Sequence, residues 1–191
     1  MLKNLARTLD PETDAIDLLK SDHRKVEGLF AQFKSAQDKR TKTSVGKQIC
    51  QELDVHAKIE EKVFYPTSKR EADEAEDEID EGIVEHEGIK RLVKQLSQMS
   101  ASDDLYEARM TVLEEYVKHH VKEEETSMFP KIAESDLDLK ALGARLLQEK
   151  EKLQGGGRSS GRSRSASASR RSSSRNGRAT RGGASRSATM H

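Results

Sequence analysis

The chain has 191 residues, enough for one domain with a real core plus a tail, and it is 36% charged, 33% hydrophobic and 4% aromatic with no Trp; that balance points to charged helices and away from a β-rich fold. A net charge of zero conceals a split: all 34 Asp and Glu lie before Gly155, leaving that part at −9, while nine arginines beyond it make the remainder +9. No apolar run is long enough for a signal peptide or for the roughly 20 residues of a membrane span, so the expectation is a cytoplasmic protein with no membrane partner.

Residues 1–12 form an N-terminal extension whose leucines at 2, 5 and 9 suit a short amphipathic helix that must dock to be stable. Asp10-Pro11 reads as an N-cap and a proline in the first turn. Ile16, Leu19, His23, Val26, Phe30 and Phe33 then recur every three or four residues, which predicts helix one with His23 on its apolar stripe. Helix two is expected over residues 44–65, stopped by Pro66. Its stripe is Val45, Ile49, Leu53, His56, Glu60 and Val63, so a carboxylate stands where a hydrophobe belongs. The lone Cys50 on the same helix excludes a disulfide framework and a four-thiolate metal site, and reads as a small buried residue.

The acidic run of residues 71–80 opens helix three, which continues through Ile79, Ile83, His86, Ile89, Val93, Leu96 and Met99. Ser102-Asp103-Asp104 is the expected cap of helix four, with Met110, Leu113, Val117, His120, Val121, Glu124 and Met128 on one face and an end before Pro130. His119 shares a more polar face with Glu115 and Glu123, which makes His120 the inward histidine. A fifth, leucine-rich segment over 135–153 predicts an additional helix docked outside the bundle. From Gly155 to His191 there is no Leu, Ile, Val or aromatic residue, and such a segment cannot offset its ordering entropy. The expected domains are therefore a helical bundle over 13–134, the additional helix over 135–154 and a disordered basic tail over 155–191.

One pattern is written twice. His56 to Pro66 and His120 to Pro130 both read histidine, three residues, two glutamates, three residues, an aromatic and a proline. On a helix, His56 and Glu60, or His120 and Glu124, sit one turn apart on one face and can reach the same point. His23 precedes His56 by 33 residues and His86 precedes His120 by 34, so helices one and two correspond to three and four. The fold class is then all-α: an antiparallel up-and-down four-helix bundle of two pseudo-repeated hairpins, with four histidines and two glutamates converging at its centre. A buried Glu is costly unless paired or bound to a cation. Six ligands are too many for one tetrahedral zinc and suit two metals sharing carboxylates. His23 and His56 are assigned to one metal and His86 and His120 to the other, with Glu60 and Glu124 bridging. Imidazole suits Fe, Zn, Cu and Ni alike. Glu61 and Glu125 point about 100° away and are rim charges or acceptors that orient a histidine.

Asp22-His23, His56 with Glu60 and Tyr65-Pro66, Glu85-His86, and His120 with Glu124 and Phe129-Pro130 together make the chain resemble the hemerythrin-like proteins of the HHE cation-binding family, from Asp14 to Pro130. The Glu-x-x-His order of ferritin-like di-iron proteins is different. The resemblance implies a centre of two non-haem iron ions per chain that meets O2, another oxidant, nitric oxide or a small anion. It also implies a fifth histidine one turn before His86; Gly82 stands there, with Lys90 on the turn after. The open place suits water or an acid such as Glu27 or Glu81, and favours sensing or handling of O2, reactive oxygen or nitrogen species, or iron over oxygen carriage. The other reading makes the bundle an interaction module whose arginine-rich tail binds nucleic acid or another polyanion weakly and without sequence preference.

Overall fold

The computed structural model describes residues 13–155. The leucines of the extension, Asp10-Pro11 and residues 156–191 of the basic tail lie outside the described residues. Helix α1, Ala15–Ser35, starts where the Asp14 side chain accepts from the Asp17 backbone N–H at 2.9 Å, a carboxylate cap on the first turn. Asp38 does the same for α2, Lys39–Ile59, accepting from Thr41 N–H at 2.8 Å. That cap starts α2 earlier than residue 44.

Neither proline ends its helix. A π-helical turn, Glu60–Phe64, follows α2 and runs straight into α3, Tyr65–Glu71, with Pro66 in the first turn of α3. A second π turn, Glu124–Met128, runs straight into α6, Phe129–Ala133, with Pro130 in the equivalent place. Proline is excluded from a helix interior because it lacks an N–H and crowds the carbonyl four residues back. Where the ladder is re-registered by one residue, as in Tyr65 N–H to Glu60 O and Phe129 N–H to Glu124 O, a first-turn proline is accommodated. Both re-registered turns begin at the glutamates singled out by the repeat.

After a short 3₁₀ turn, Asp73–Ala75, α4 spans Glu76–Leu96; Met99 lies in the loop beyond it. Helix α5, Tyr106–Glu123, follows Leu105, which takes the left-handed conformation at φ 64°. Asp103 does not cap α5 as expected; its carboxylate accepts from Ser100 N–H at 2.7 Å and closes the preceding turn. Helix α7, Leu139–Gly155, is capped by Asp138, which accepts from Ala141 N–H at 2.9 Å.

Helices α1, α2, α4 and α5 form the up-and-down bundle: α1 packs on α2, α4 on α5, and α2 on α4, while α7 lies against α1 and α2. Leu142 and Leu146 of α7 are buried, and Gly143 brings the helix so close that a Cβ there would lie 2.7 Å from Thr13 O. Two apolar clusters fill the interior. One contains Val26, Phe30, Leu53, Ile89, Val117 and Val121; the other contains Leu19, Ile59, Phe64, Tyr65, Ile79 and Phe129. Each such side chain contributes about 1.5–3 kcal/mol on burial. Along every bundle helix the inward histidine falls at the boundary between them. Among the described residues no helix is long and apolar enough to cross a membrane.

Candidate metal centre

The structure brings His23, His56, Glu60, His86, His120 and Glu124 together, all of them buried. The histidines meet in two pairs, one per hairpin: His23 Nε2 lies 3.1 Å from His56 Nε2, and His86 Nε2 3.0 Å from His120 Nε2. Both glutamates reach both pairs. Glu60 Oε1 is 3.2 Å from His56 Nε2 while its Oε2 is 3.4 Å from His86 Nε2. Glu124 Oε2 is 3.2 Å from His23 Nε2 and 3.5 Å from His120 Nε2.

The other ring nitrogens face carboxylates. His23 Nδ1 donates to Glu125 at 2.8 Å, His86 Nδ1 to Glu61 at 3.0 Å and His120 Nδ1 to Glu85 at 2.7 Å. An ionised carboxylate only accepts, so these bonds place a proton on Nδ1; once the ring carries no second proton, its Nε2 lone pair faces the centre. His56 is the exception. Asp22 Oδ2 stands 3.6 Å from His56 Nδ1, and the other Asp22 oxygen is held by Lys150 of α7. Glu61 and Glu125 thus act on histidines, each across the bundle, and each also pairs with a cation: Lys90 at 2.6 Å and Arg24.

The repeat relates these contacts. Asp22 before His23 serves His56, as Glu85 before His86 serves His120; Glu61 after Glu60 serves His86, as Glu125 after Glu124 serves His23. Asp22, Glu85 and Lys150 had no role assigned from sequence. A signal for the first two existed, since an acid immediately precedes the first histidine of each hairpin.

The two halves differ at one point. The Tyr65 hydroxyl donates to Glu124 Oε1 at 2.9 Å, whereas its counterpart in the repeat is Phe129. A Cβ on Gly82 would lie 3.2 Å from that hydroxyl and 3.5 Å from His120 Cε1, so the place left by the missing fifth histidine is adjoined by Tyr65. It is not filled by Glu27, which pairs with Arg24 at the surface, nor by Glu81, which is exposed. His119 is exposed, near Glu85 and Glu123 at 3.1 and 3.2 Å, which leaves His120 as the inward residue.

Charge at the centre is mutually dependent. Burial works against the His56 imidazolium, but Glu60, Asp22 and Glu124 outweigh it and raise its pKa to about 10. His120 is raised to about 9 by Glu124, Glu85 and Glu60, again against burial. Burial pushes Glu124 up, yet His120, His23 and His56 hold it below the usual carboxylate range. The hydrogen bond from His86, reinforced by Lys90 against desolvation, lowers Glu61 to about 2. Burial and then the nearby Glu124 and Glu60 charges keep Tyr65 protonated well beyond the ordinary phenol range.

Buried, unpaired polar atoms converge here. Among the described residues, Glu60 Oε1 and Oε2, Glu124 Oε2 and His56 Nδ1 lack a hydrogen-bond partner. His56 is near Glu60, but not in hydrogen-bonding alignment. A fully buried carboxylate without a donor is compensated by a cation, and the imidazole–carboxylate donor set fits a divalent first-row metal.

The comparisons agree with this geometry. The description "Hemerythrin HHE cation binding domain" matches residues 14–132. A protein of Nostoc sp. named DNA nickase is 31% identical over 116 residues, 61% of this chain and 32% of that protein. An uncharacterized hemerythrin-like protein of Schizosaccharomyces pombe is 30% identical over 115 residues, 60% of this chain and 57% of that one. The chain thus spans about a third and somewhat over half of the lengths of these relatives. The crystal structure of a hemerythrin HHE cation binding domain-containing protein from Mycobacterium kansasii shares the fold at a TM-score of 0.65 and 24% identity, covering 78% of this chain and 95% of that one. With a doubled His-x-x-x-Glu hairpin, six buried donors at one centre and the family match over most of the folded part, this chain belongs to the hemerythrin HHE cation-binding family.

Proposed function

We propose that the chain is a di-iron protein that senses or handles O2, reactive oxygen or nitrogen species, or iron. His23 and His56 would hold one ion, His86 and His120 the other, and Glu60 and Glu124 would be shared. One observation carries this reading: Glu60 is wholly buried, sits between the two histidine pairs, and has no hydrogen-bond donor for either oxygen. Bound iron supplies redox chemistry with O2 or a related small molecule. The protein's own groups hold the imidazoles in the tautomer that presents Nε2, keep bulk water from the centre with two apolar clusters, and offer a neutral Tyr65 O–H beside Glu124.

The test is anaerobic reconstitution with Fe(II), followed by metal analysis and admission of air. Two irons per chain and a visible charge-transfer absorption support the reading. Both signals should be lost in His56→Ala, and full iron loading of that variant would overturn the ligand assignment.

The segregation of charge supports a second reading for residues 156–191. Nine arginines beside a −9 folded part suit phosphate contacts with nucleic acid, which weaken steeply with salt; a relative that bears the name DNA nickase adds interest to it. Binding of DNA and RNA by the full chain, compared with a chain ending at Gln154, distinguishes this from a tail that only neutralises the acidic part. Equal binding by the two removes the tail from any such role.

A further inference from the structure

A small cavity of about 20 Å3 lies on the apolar side of the centre, lined by all four inward histidines together with Val26, Leu53, Val117 and Val121. A space of roughly 10–15 Å3 by this measure takes one water, so the cavity suits a molecule of one or two heavy atoms. Outside it runs a groove of about 320 Å3 between α1 and α5, floored by Phe30, Val117 and Val121 and rimmed by Glu27, Lys34, Glu114 and Lys118. Val117 and Val121 line both spaces, and no polar residue is common to the two.

Ion pairs hold the rim of this groove: Lys34 of α1 and Lys118 of α5 both pair with Glu114 of α5, at 2.7 and 2.8 Å, and Glu27 of α1 pairs with Arg24 at 2.9 Å. The α1–α5 seam is packed less closely than the α4–α5 hairpin, and there Val117 and Val121 alone stand in both linings, between the groove and the cavity at the centre. The α4–α5 side has its own groove of about 240 Å3, which shares Ile89 with the inner cavity. There the Tyr116 ring closes on Gly88, 3.4 Å from where a Cβ would be, and Glu85 spans His119 and His120.

We propose that a small uncharged molecule of the O2 or nitric oxide class reaches the centre through the α1–α5 window, with Val117 and Val121 as its size filter. The proposal rests on the di-iron reading for what the molecule meets, and it adds the route and the residues that filter it. The wall that groove and cavity share is apolar, so a neutral diatomic passes it freely, whereas an anion that has left the charged rim would have to shed its hydration there without a paired charge.

The experiment follows nitric oxide association with the Fe(II)-loaded protein by stopped-flow absorption, after metal content and helicity are measured for each variant. Val117→Ala should speed association roughly tenfold; Val117→Leu and Val117→Phe should slow it progressively, with iron content and equilibrium affinity little changed. Val84→Trp, which fills the opposite groove, should leave the rate as it is. Unchanged rates across the Val117 series, or slowing by Val84→Trp instead, overturn the window. A second measurement needs no iron: in the metal-free protein under dissolved O2, paramagnetic relaxation of the Val26 and Leu53 methyl protons should exceed that of Val93, which is buried at 9% exposure but lines neither space, and fall in Val117→Leu. Equal relaxation at all three overturns the route. Failure of iron to bind, with the relaxation pattern intact, would instead count against the di-iron reading alone.

Discussion

The Tyr65 hydroxyl donates to Glu124 Oε1 across the bundle at 2.9 Å, and does so beside the space that a side chain at position 82 would enter. Glycine at 82 and a hydroxyl at 65 are therefore one feature. In the other half, Leu19 and Phe129 stand at the corresponding positions, and Glu60 has no such donor. Tyr65→Phe should destabilise the metal-free protein by about 1–3 kcal/mol, because it strips the donor from a buried carboxylate. Phe129→Tyr should not recover that loss, since Leu19 leaves no glycine-sized space for the hydroxyl. Chemical denaturation of both variants checks this, and an unaltered midpoint for Tyr65→Phe would count against the bond.

Metal should hold the bundle together through Glu60. A ligand that binds only the folded state stabilises it by about 4 kcal/mol when present at a thousandfold over its Kd. The melting temperature of the chain should rise on adding Fe(II) and fall on adding a chelator. In Glu60→Gln the rise should shrink by more than half and metal content should drop below two ions. Differential scanning calorimetry with metal analysis reads both.

Proton release should accompany metal uptake. In the metal-free state His56 and His120 hold protons up to about pH 10 and about pH 9, and a ligating Nε2 must be free of one. At pH 7 both are charged, so uptake should release about two protons per chain. The sign follows from competition: raising the pH removes the competing proton, so apparent affinity increases by roughly tenfold per unit for each proton released, and levels off above about pH 9–10. Calorimetry in buffers of different ionisation enthalpy counts the protons; none released at pH 7 would refute the assigned charge state.

Gly143 should not tolerate a side chain. A Cβ there would meet Thr13 O at 2.7 Å and Ala15 N at 2.9 Å, both backbone atoms that cannot swing away. Gly143→Ala should cost about 1–3 kcal/mol through overpacking. It should also weaken the Lys150 contact with Asp22, and hence the positioning of His56. Thermal melts and His56 side-chain chemical shifts test the two effects separately.

Much of this architecture can be read from spacing. A period of three to four residues brought His23, His56, His86 and His120 onto apolar stripes, and the doubled His-x-x-x-Glu added Glu60 and Glu124. Helix ends were harder to read. Pro66 and Pro130 look like stops by local rules, but the chain stays helical through both by re-registering its backbone ladder at the preceding glutamates. Local propensity contains no term for a π turn stabilised by the packing of Phe64, Tyr65, Met128 and Phe129 around it.

The sequence by itself determined the bundle, the two-hairpin repeat and the six inward donors, because side chains one helical turn apart share a face whatever surrounds them. Only the tertiary structure decided which acid orients which histidine, that Tyr65 and not Glu27 or Glu81 adjoins Gly82, and that Lys150 of α7 reaches Asp22. The acid–histidine and Lys150–Asp22 pairings join residues 25 to 128 apart in the chain. They depend on how helices are rotated and offset against one another, a property of packed surfaces that no single segment encodes.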